Sequence, residues 1–262
     1  VDVAACAGWI DGLTTIALRA SLVIRATAAT AGVRRKPDGS PVTAADEAAE
    51  AAICEGLARL APGLPVISEE QAEPLRPPVA GSGYFLVDPL DGTREFAAGR
   101  DEYTVNIALM SNGAPIVGIV AAPALGLIWR GIVGRGAERM AFAADGTLGP
   151  PLPIQARKRP RDVIVLVSRS HLDAGTQAFV SRLPRSRTAQ AGSSLKFCRI
   201  AEGTADLYPR LAPTHDWDVA AGHALLEAAG GTVRTPDEKP LLYGTAELLI
   251  PGFVASGNPA AE

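Results

Sequence analysis

Apolar residues recur at helical spacing from the start of the chain: Ile10, Leu13, Ala17, Ala20 and Ile24 fall on one face. This pattern predicts one amphipathic helix through the first thirty residues, ended by Gly32. After the loop RRKPDGSP comes a second helical stretch, TAADEAAEAAICEGLARL. Thr43 is a favoured N-cap residue, and Asp46 and Glu47 fall in the first turn, where the positive end of a helix favours acids. Pro62 and Gly63 stop this helix.

The pattern then becomes one of strands. LPVISEE is a short strand ending in acids, and EPLRPPVAGSG has no period and predicts a surface loop. YFLVD reads as a buried strand running into an Asp-Pro and an Asp-Gly turn. YTVNIALM and APIVGIVAAP flank Ser111-Asn112-Gly113, a strong hairpin signal. LGLIWRGIV and ERMAF, separated by GRGA, extend the same antiparallel sheet. The character changes near Gly149-Pro150-Pro151. Beyond it come a strand (DVIVLVS), a helix over about 173–183, a GSS loop, and a helix over about 194–202. A strand (ADLYPR), a helix (WDVAAGHALLEAAGG) stopped by Gly230-Gly231, and a strand (FVASG) follow. The expected organisation is an α+β half, residues 1–150, and an α/β half, residues 151–262.

Composition narrows the class. Of 262 residues, 47% are hydrophobic and 20% charged, which suits a globular core and argues against disorder or a fibrous repeat. A net charge of −3 is too mild to suggest a nucleic-acid polymer as partner, so an anionic substrate needs a local positive site or metal ions. The basic run at Lys158, Arg159 and Arg161 reads as a solvated linker. Cys6, Cys54 and Cys198 are odd in number and widely spaced, and read as small apolar residues of helices in a reducing compartment. The uncharged apolar run from Gly113 to Trp129 is interrupted by Pro115 and Pro123 and is shorter than a membrane span. No secretory leader pattern opens the chain, which starts at Val1 without Met. The expectation is a cytoplasmic protein without a transmembrane segment; peripheral association with the inner membrane and a homodimer are left open.

The candidate chemistry centres on VDPLDGT. Asp88 ends an apolar strand and Asp91 follows three residues later; Pro89 fixes φ and Gly92 permits a tight turn. Such a turn can hold two carboxylates and the Leu90 carbonyl on one side, an all-oxygen setting that suits magnesium. The Thr93 hydroxyl can orient a water, and the N–H groups beside it can meet a phosphate. The bland reading is a turn that its own aspartates cap. Glu69, after an apolar strand, is otherwise a solvated strand-end acid, and Asp46 is otherwise a dipole-stabilising one. Asp216 and Asp218 bracket Trp217 at a helix start; capping by Asp216 or Thr214 would free Asp218 to point elsewhere. Trp217 reads as a packing anchor, His223 as a packed helix residue, and His215 is undecided.

Together these segments resemble the inositol monophosphatase superfamily, whose DPxDGTxxF and WDxxAxxxxxxxAGG patterns match DPLDGTREF and WDVAAGHALLEAAGG. Within it, KPDGSPVTAAD, VISEE, EYTVNIAL, SRSH, GSSLKFCRIAEGTADLYPR and FVASG look like the CysQ-type 3'(2'),5'-bisphosphate nucleotidase branch. The loop from Gln71 to Gly83 departs from that branch, being Pro-rich and without tryptophan. The resemblance implies a layered αβαβα sandwich and a magnesium-dependent phosphomonoesterase with two or three ions, inhibited by lithium. It implies Glu69, Asp88, Leu90, Asp91 and Asp218 as metal ligands, and Asp46 and Thr93 as the catalytic pair acting on water. Gly92, Thr93, Ser168, His171, Gly192, Ser193, Lys196 and Asp218 would meet the substrate, with Arg210 reaching a second phosphate. The expected reaction is hydrolysis of 3'-phosphoadenosine 5'-phosphate to AMP. The alternatives are a phosphatase of inositol or small sugar phosphates, and a metal-dependent nucleotide binder without turnover.

Overall fold

The computed structural model describes residues 7–28, 32–35, 41–71, 83–170 and 172–258. Helix α1 (Ile10–Thr27) buries Leu13, Ala17, Ala20 and Ile24, the stripe that the spacing predicts. Strands β1 (Val33–Arg35) and β2 (Pro41–Thr43) form an antiparallel pair that leads into α2 (Ala44–Leu60). Thr43 caps α2, its hydroxyl accepting from Ala45 N–H.

A seven-stranded sheet follows: β3 (Val66–Ser68), β4 (Tyr84–Asp91), β5 (Thr104–Ser111), β6 (Ala114–Ala122), β7 (Leu127–Ile132), β8 (Gly136–Ala141) and β9 (Leu152–Ile154). The strands lie in chain order, with β3 parallel to β4 and the other neighbours antiparallel. The short helix α3 (Thr93–Ala97) interrupts it between β4 and β5. The expected hairpin joins β5 to β6, with Asn112 and Gly113 at φ values of 52° and 76°, the left-handed pair that matches strand twist.

The rest of the chain builds a five-stranded sheet in the order β11-β10-β12-β16-β14. Its strands are β10 (Val163–Ser168), β11 (Ser186–Ala191), β12 (Leu207–Arg210), β14 (Thr232–Arg234) and β16 (Phe253–Ser256). The helices between them are α4 (Ala174–Ser181), α5 (Leu195–Ala201) and α6 (Asp216–Ala228). The two-residue strands β13 (Thr214–His215) and β15 (Leu249–Ile250) pair beside the α6 N-terminus.

Burial defines five layers. Helices α1 and α2 pack on one face of the large sheet through residues such as Phe85, Val87 and Ile107. The opposite face, with Leu86, Ala108 and Trp129, shares a second core with α5, α6 and the inner face of the small sheet. Helix α4 covers the outer face, over Val163, Val165 and Leu207. The fold is the layered αβαβα sandwich. Because β4 is covered on both faces, it reads as a continuous apolar run instead of an alternation. Helix α6 lies very close to the large sheet: a Cβ at Gly118 would sit 2.1 Å from the Ala221 carbonyl oxygen.

Several elements differ from expectation. Helix α1 ends at Thr27 instead of filling the first thirty residues. Strands β11 and β14 are new; β11 (SRTAQA) is a largely exposed edge strand without the apolar pattern that marks a strand in sequence. Strand β9 falls just after the Gly-Pro-Pro change of character and still belongs to the large sheet. Lys158, Arg159 and Arg161 are exposed. Cys54 is half-buried and Cys198 buried, both as free thiols, and Cys6 lies outside the described residues. Among the described residues no helix is long and apolar enough to cross a membrane. Most of the Gln71–Gly83 loop, residues 72–82, also lies outside the described residues.

Candidate active site

Four elements bring acids to one wall of a cleft. Strand β4 carries Asp88 and Asp91, and its register against β5 shifts between them: Asp88 faces Asn106 and Asp91 faces Thr104. Residues three apart on a regular strand point to opposite faces. The extra residue on β4 returns Asp91 to the side of Asp88, as a bulge does. Asp88 Oδ1 accepts the Leu90 N–H at 3.0 Å, which folds the turn back on itself. Gly92 then adopts φ 93°, and a Cβ there would lie 3.1 Å from the Glu102 carbonyl oxygen, so both conformation and space call for glycine.

Glu69 follows β3, whose parallel pairing places it beside the β4 end; its N–H donates to the Val87 carbonyl at 3.1 Å. Its carboxyl hydrogen-bonds that of Asp88. Asp46, in the first turn of α2, accepts from the Thr43 N–H at 2.8 Å and the Thr43 hydroxyl at 2.6 Å through Oδ2. Its other oxygen, Oδ1, faces the Thr93 hydroxyl at 3.2 Å, which is equally 3.2 Å from the Leu90 carbonyl.

Asp218 comes from the first turn of α6 and corrects one expectation. Neither Asp216 nor Thr214 caps α6; the cap position is His215, and Asp218 itself reaches back to accept the His215 N–H at 3.1 Å. The Thr214 hydroxyl also donates to Asp218. The reason is position: the third helical residue can reach the cap N–H, while the Asp216 carboxylate is buried and accepts the Gly244 N–H at 2.7 Å.

These acids strain one another electrostatically. Burial pushes the Asp88 carboxyl well above the usual range, and the charges of Glu69, Asp91 and Asp218 push it further. Burial and Asp218 raise Asp91 to about 6, against the pull of Lys196 and the Ser194 N–H. Burial also raises Asp46. Among the described residues no three His, Cys, Asp or Glu side chains stand close enough together to hold a metal ion by themselves. The donors are all oxygens, and each acid gains from nearby positive charge. The set thus fits a hard cation that keeps water or substrate oxygens as its remaining ligands.

The opposite wall belongs to the second half of the chain. A cavity of about 240 Å³ is lined by Glu69, Asp91, Gly92, Thr93 and Asp218 on the acid side. Ser168, Gly192, Ser193, Lys196 and Arg210 line the other side. Asp46, Asp88 and Leu90 lie behind the lining. Lys196 is buried, and its Nζ donates to the Ala191 and Ser193 carbonyls at 3.2 and 2.6 Å. Two of its three N–H groups therefore hold the loop, and burial lowers its pKa to about 8. The Ser193 hydroxyl and Arg210 Nε are buried on this wall without hydrogen-bond partners.

Sequence reasoning gave no place in the cleft to Arg94, Glu95, Phe197, Tyr208, Thr214, Val219 and Phe253, which also line the cavity. Glu95 had a readable signal, an acid directly after the turn motif. The packed aromatic trio Phe197, Tyr208 and Phe253 joins three distant segments and had none. His171 lies outside the described residues. His223 is packed as expected, its Nδ1 2.8 Å from the Tyr243 hydroxyl. Trp217 is buried, and the exposed His215 stacks on it at 4.4 Å.

The family model for the inositol monophosphatase family matches residues 7–259. The chain is 45% identical over 222 residues to the 3'(2'),5'-bisphosphate nucleotidase CysQ of Shigella flexneri, covering 84% of this chain and 87% of that protein. The crystal structure of CysQ from Bacteroides thetaiotaomicron aligns with a TM-score of 0.82 at 32% identity, covering 95% of this chain and 96% of that one. An inositol monophosphatase from Anabaena (Nostoc) sp. PCC 7120 aligns with a TM-score of 0.74 at 26% identity, covering 97% and 92%.

Proposed function

Because the chain belongs to the inositol monophosphatase family, we propose that it is a phosphomonoesterase acting on 3'(2'),5'-bisphosphate nucleotides. Its reaction converts 3'-phosphoadenosine 5'-phosphate to AMP and phosphate. The observation that carries this reading is a single cleft with two separate provisions for negative charge. One wall is a set of acids suited to cations. The other offers Arg210 and Ser193 with buried polar atoms still unpartnered. A substrate with two phosphates uses both walls, whereas a single-phosphate ester needs only the first. The 45% identity to a CysQ nucleotidase over most of both chains supports the same choice.

Glu69, Asp88, Asp91, Asp218 and the Leu90 carbonyl would hold two or three magnesium ions. When bound, such ions neutralise phosphate oxygens, lower the pKa of water and stabilise a leaving alkoxide. Thr93 and Asp46 serve the attacking water. The Thr93 hydroxyl stands between Asp46 Oδ1 and the Leu90 carbonyl, and a carboxylate raised by burial is a stronger base than an exposed one. Water oxygen forms the new bond to phosphorus as the bond to the ribose 3'-oxygen breaks. The proton of the water leaves through Asp46, and the 3'-oxygen departs with the bonding electrons to be protonated as the hydroxyl of AMP. Gly92 and Thr93 N–H groups, at the start of α3, would meet the scissile phosphate; Ser168, Gly192 and Ser193 would meet the nucleoside. The setting proposed is the reducing cytoplasm, in keeping with the free thiols of Cys54 and Cys198.

Phosphate release from 3'-phosphoadenosine 5'-phosphate and from inositol 1-phosphate, measured side by side with magnesium, tests the reading. Faster release from the bisphosphate is expected. Preference for the inositol ester overturns the substrate, and no release from either favours a binder without turnover. Millimolar lithium is expected to slow release.

A further inference from the structure

One carboxylate outside the acid wall joins three segments of the chain. Glu102 lies in the loop between α3 and β5 and is not part of the cleft lining. Its carboxylate accepts two N–H bonds from the Arg169 guanidinium, at 2.8 and 3.0 Å. It accepts a third from the Gly192 backbone N–H at 3.0 Å. Arg169 directly follows Ser168, and Gly192 directly precedes Ser193, both of which line the cleft.

Packing repeats what the hydrogen bonds show. A Cβ at Gly192 would lie 2.6 Å from the Glu102 carbonyl oxygen, 2.9 Å from Glu102 Cβ and 3.2 Å from Glu95 Cγ. The loop thus rests directly on the segment that leaves the metal-site turn. From the cleft side, Lys196 grips the carbonyls on either side of Gly192. The Ser170 hydroxyl donates to Glu95, giving the 168–170 segment a second tie to α3. Gripped from both sides, Ser193 is held at φ 45° with its hydroxyl unpartnered on the cleft wall.

We infer that Glu102 is a positioning residue for substrate selection: through Gly192 and Arg169 it fixes the substrate loops at a set distance from the metal-site turn. This rests on the phosphatase reading above for its readout. Glu102 touches no reacting atom, so its effect falls on the organic group beyond the scissile phosphate. The bond from Arg169 holds the Glu102 carboxyl below its ordinary pKa, so the tie stays charged through the neutral range. Two parallel N–H bonds from a planar guanidinium also fix an angle, which a single contact does not.

The test compares 3'-phosphoadenosine 5'-phosphate with p-nitrophenyl phosphate, a small ester without a nucleoside, for wild type, Glu102→Gln and Arg169→Lys. Arg169→Lys keeps the charge and loses the fork, and serves if Glu102→Gln folds poorly. Each variant is expected to lower the ratio of the two kcat/KM values by at least about fivefold, chiefly through KM for the nucleotide. Combining the two changes is expected to add less than the sum of the single effects. An equal loss on both substrates marks a merely structural residue and overturns the inference, as does an unchanged ratio. If wild type prefers inositol 1-phosphate, the proposed substrate falls, and the same ratio is read with inositol 1-phosphate in place of the nucleotide.

Discussion

On one wall of the cleft, acids sit at the ends of regular elements: Asp88 and Asp91 on β4, Glu69 after β3, Asp46 and Asp218 in the first turns of α2 and α6. On the other wall, Ser168 and Arg210 end β10 and β12 and Lys196 opens α5, but Gly192 and Ser193 sit on a loop that other side chains hold in place. The first wall is rigid because its elements are, and its acids repel one another until something positive joins them. The Gly192–Ser193 loop of the second wall is only as rigid as its ties. In the proposed reading, chemistry belongs to the first wall and discrimination among substrates to the second.

The largest expected effect breaks the acid wall. Asp91→Asn removes a charge at the centre of the set, and loss of even an indirect partner of a metal ligand costs roughly 10–100-fold. Turnover of any phosphate ester is expected to fall by more than about 100-fold. Near-normal kcat in that variant would remove Asp91 from the metal site.

A middle-sized effect probes the loop wall. Lys196→Met leaves the Ala191 and Ser193 carbonyls without their donor in a buried place. A loss of about 1–3 kcal/mol in stability is expected, on the scale of a buried polar group left unpaired. KM for the nucleotide is expected to rise more than kcat falls. Denaturant unfolding and steady-state kinetics measure the two. A kcat loss as deep as that of Asp91→Asn would erase the distinction between the walls.

The smallest effect sharpens the electrostatic side. Asp91 is raised from 3.8 to about 6, so the metal-free native state binds more protons than the unfolded chain between those values. Its contribution to stability is therefore present at low pH and lost as pH rises through that window. Magnesium relieves the repulsion only when the acids are ionised. Its upward shift of the thermal midpoint is expected to be larger at about pH 7.5 than at about pH 5. Equal shifts at both would show that the acids do not meet the metal.

Much of the acid wall was legible in sequence because its information is local. A Thr cap with an acid in the first turn, an Asp-Pro turn closing on Gly, and an Asn-Gly hairpin each declare themselves within a few residues. The bond from His215 N–H to Asp218 was misjudged, because a choice among three polar residues at one helix start depends on which of them is buried. The loop wall was less legible. Strand β11 has no apolar alternation, and the ties from Glu102 span 67 residues to Arg169 and 90 to Gly192. Lys196 was expected to meet the substrate, yet two of its three donors serve the loop, a fact that only the fold reveals.

Helix α6 has a consequence for how the protein reaches its working state. Its first turn supplies Asp218, while its body is pressed between the two sheets, close enough to Gly118 that no side chain fits. The acid wall is thus complete only when a segment near the end of the chain has docked on strands made more than a hundred residues earlier. Contacts of such long sequence separation form slowly, because loop closure precedes their reward. Metal competence should therefore appear in a single late step of refolding, and magnesium affinity would report on complete assembly of the molecule.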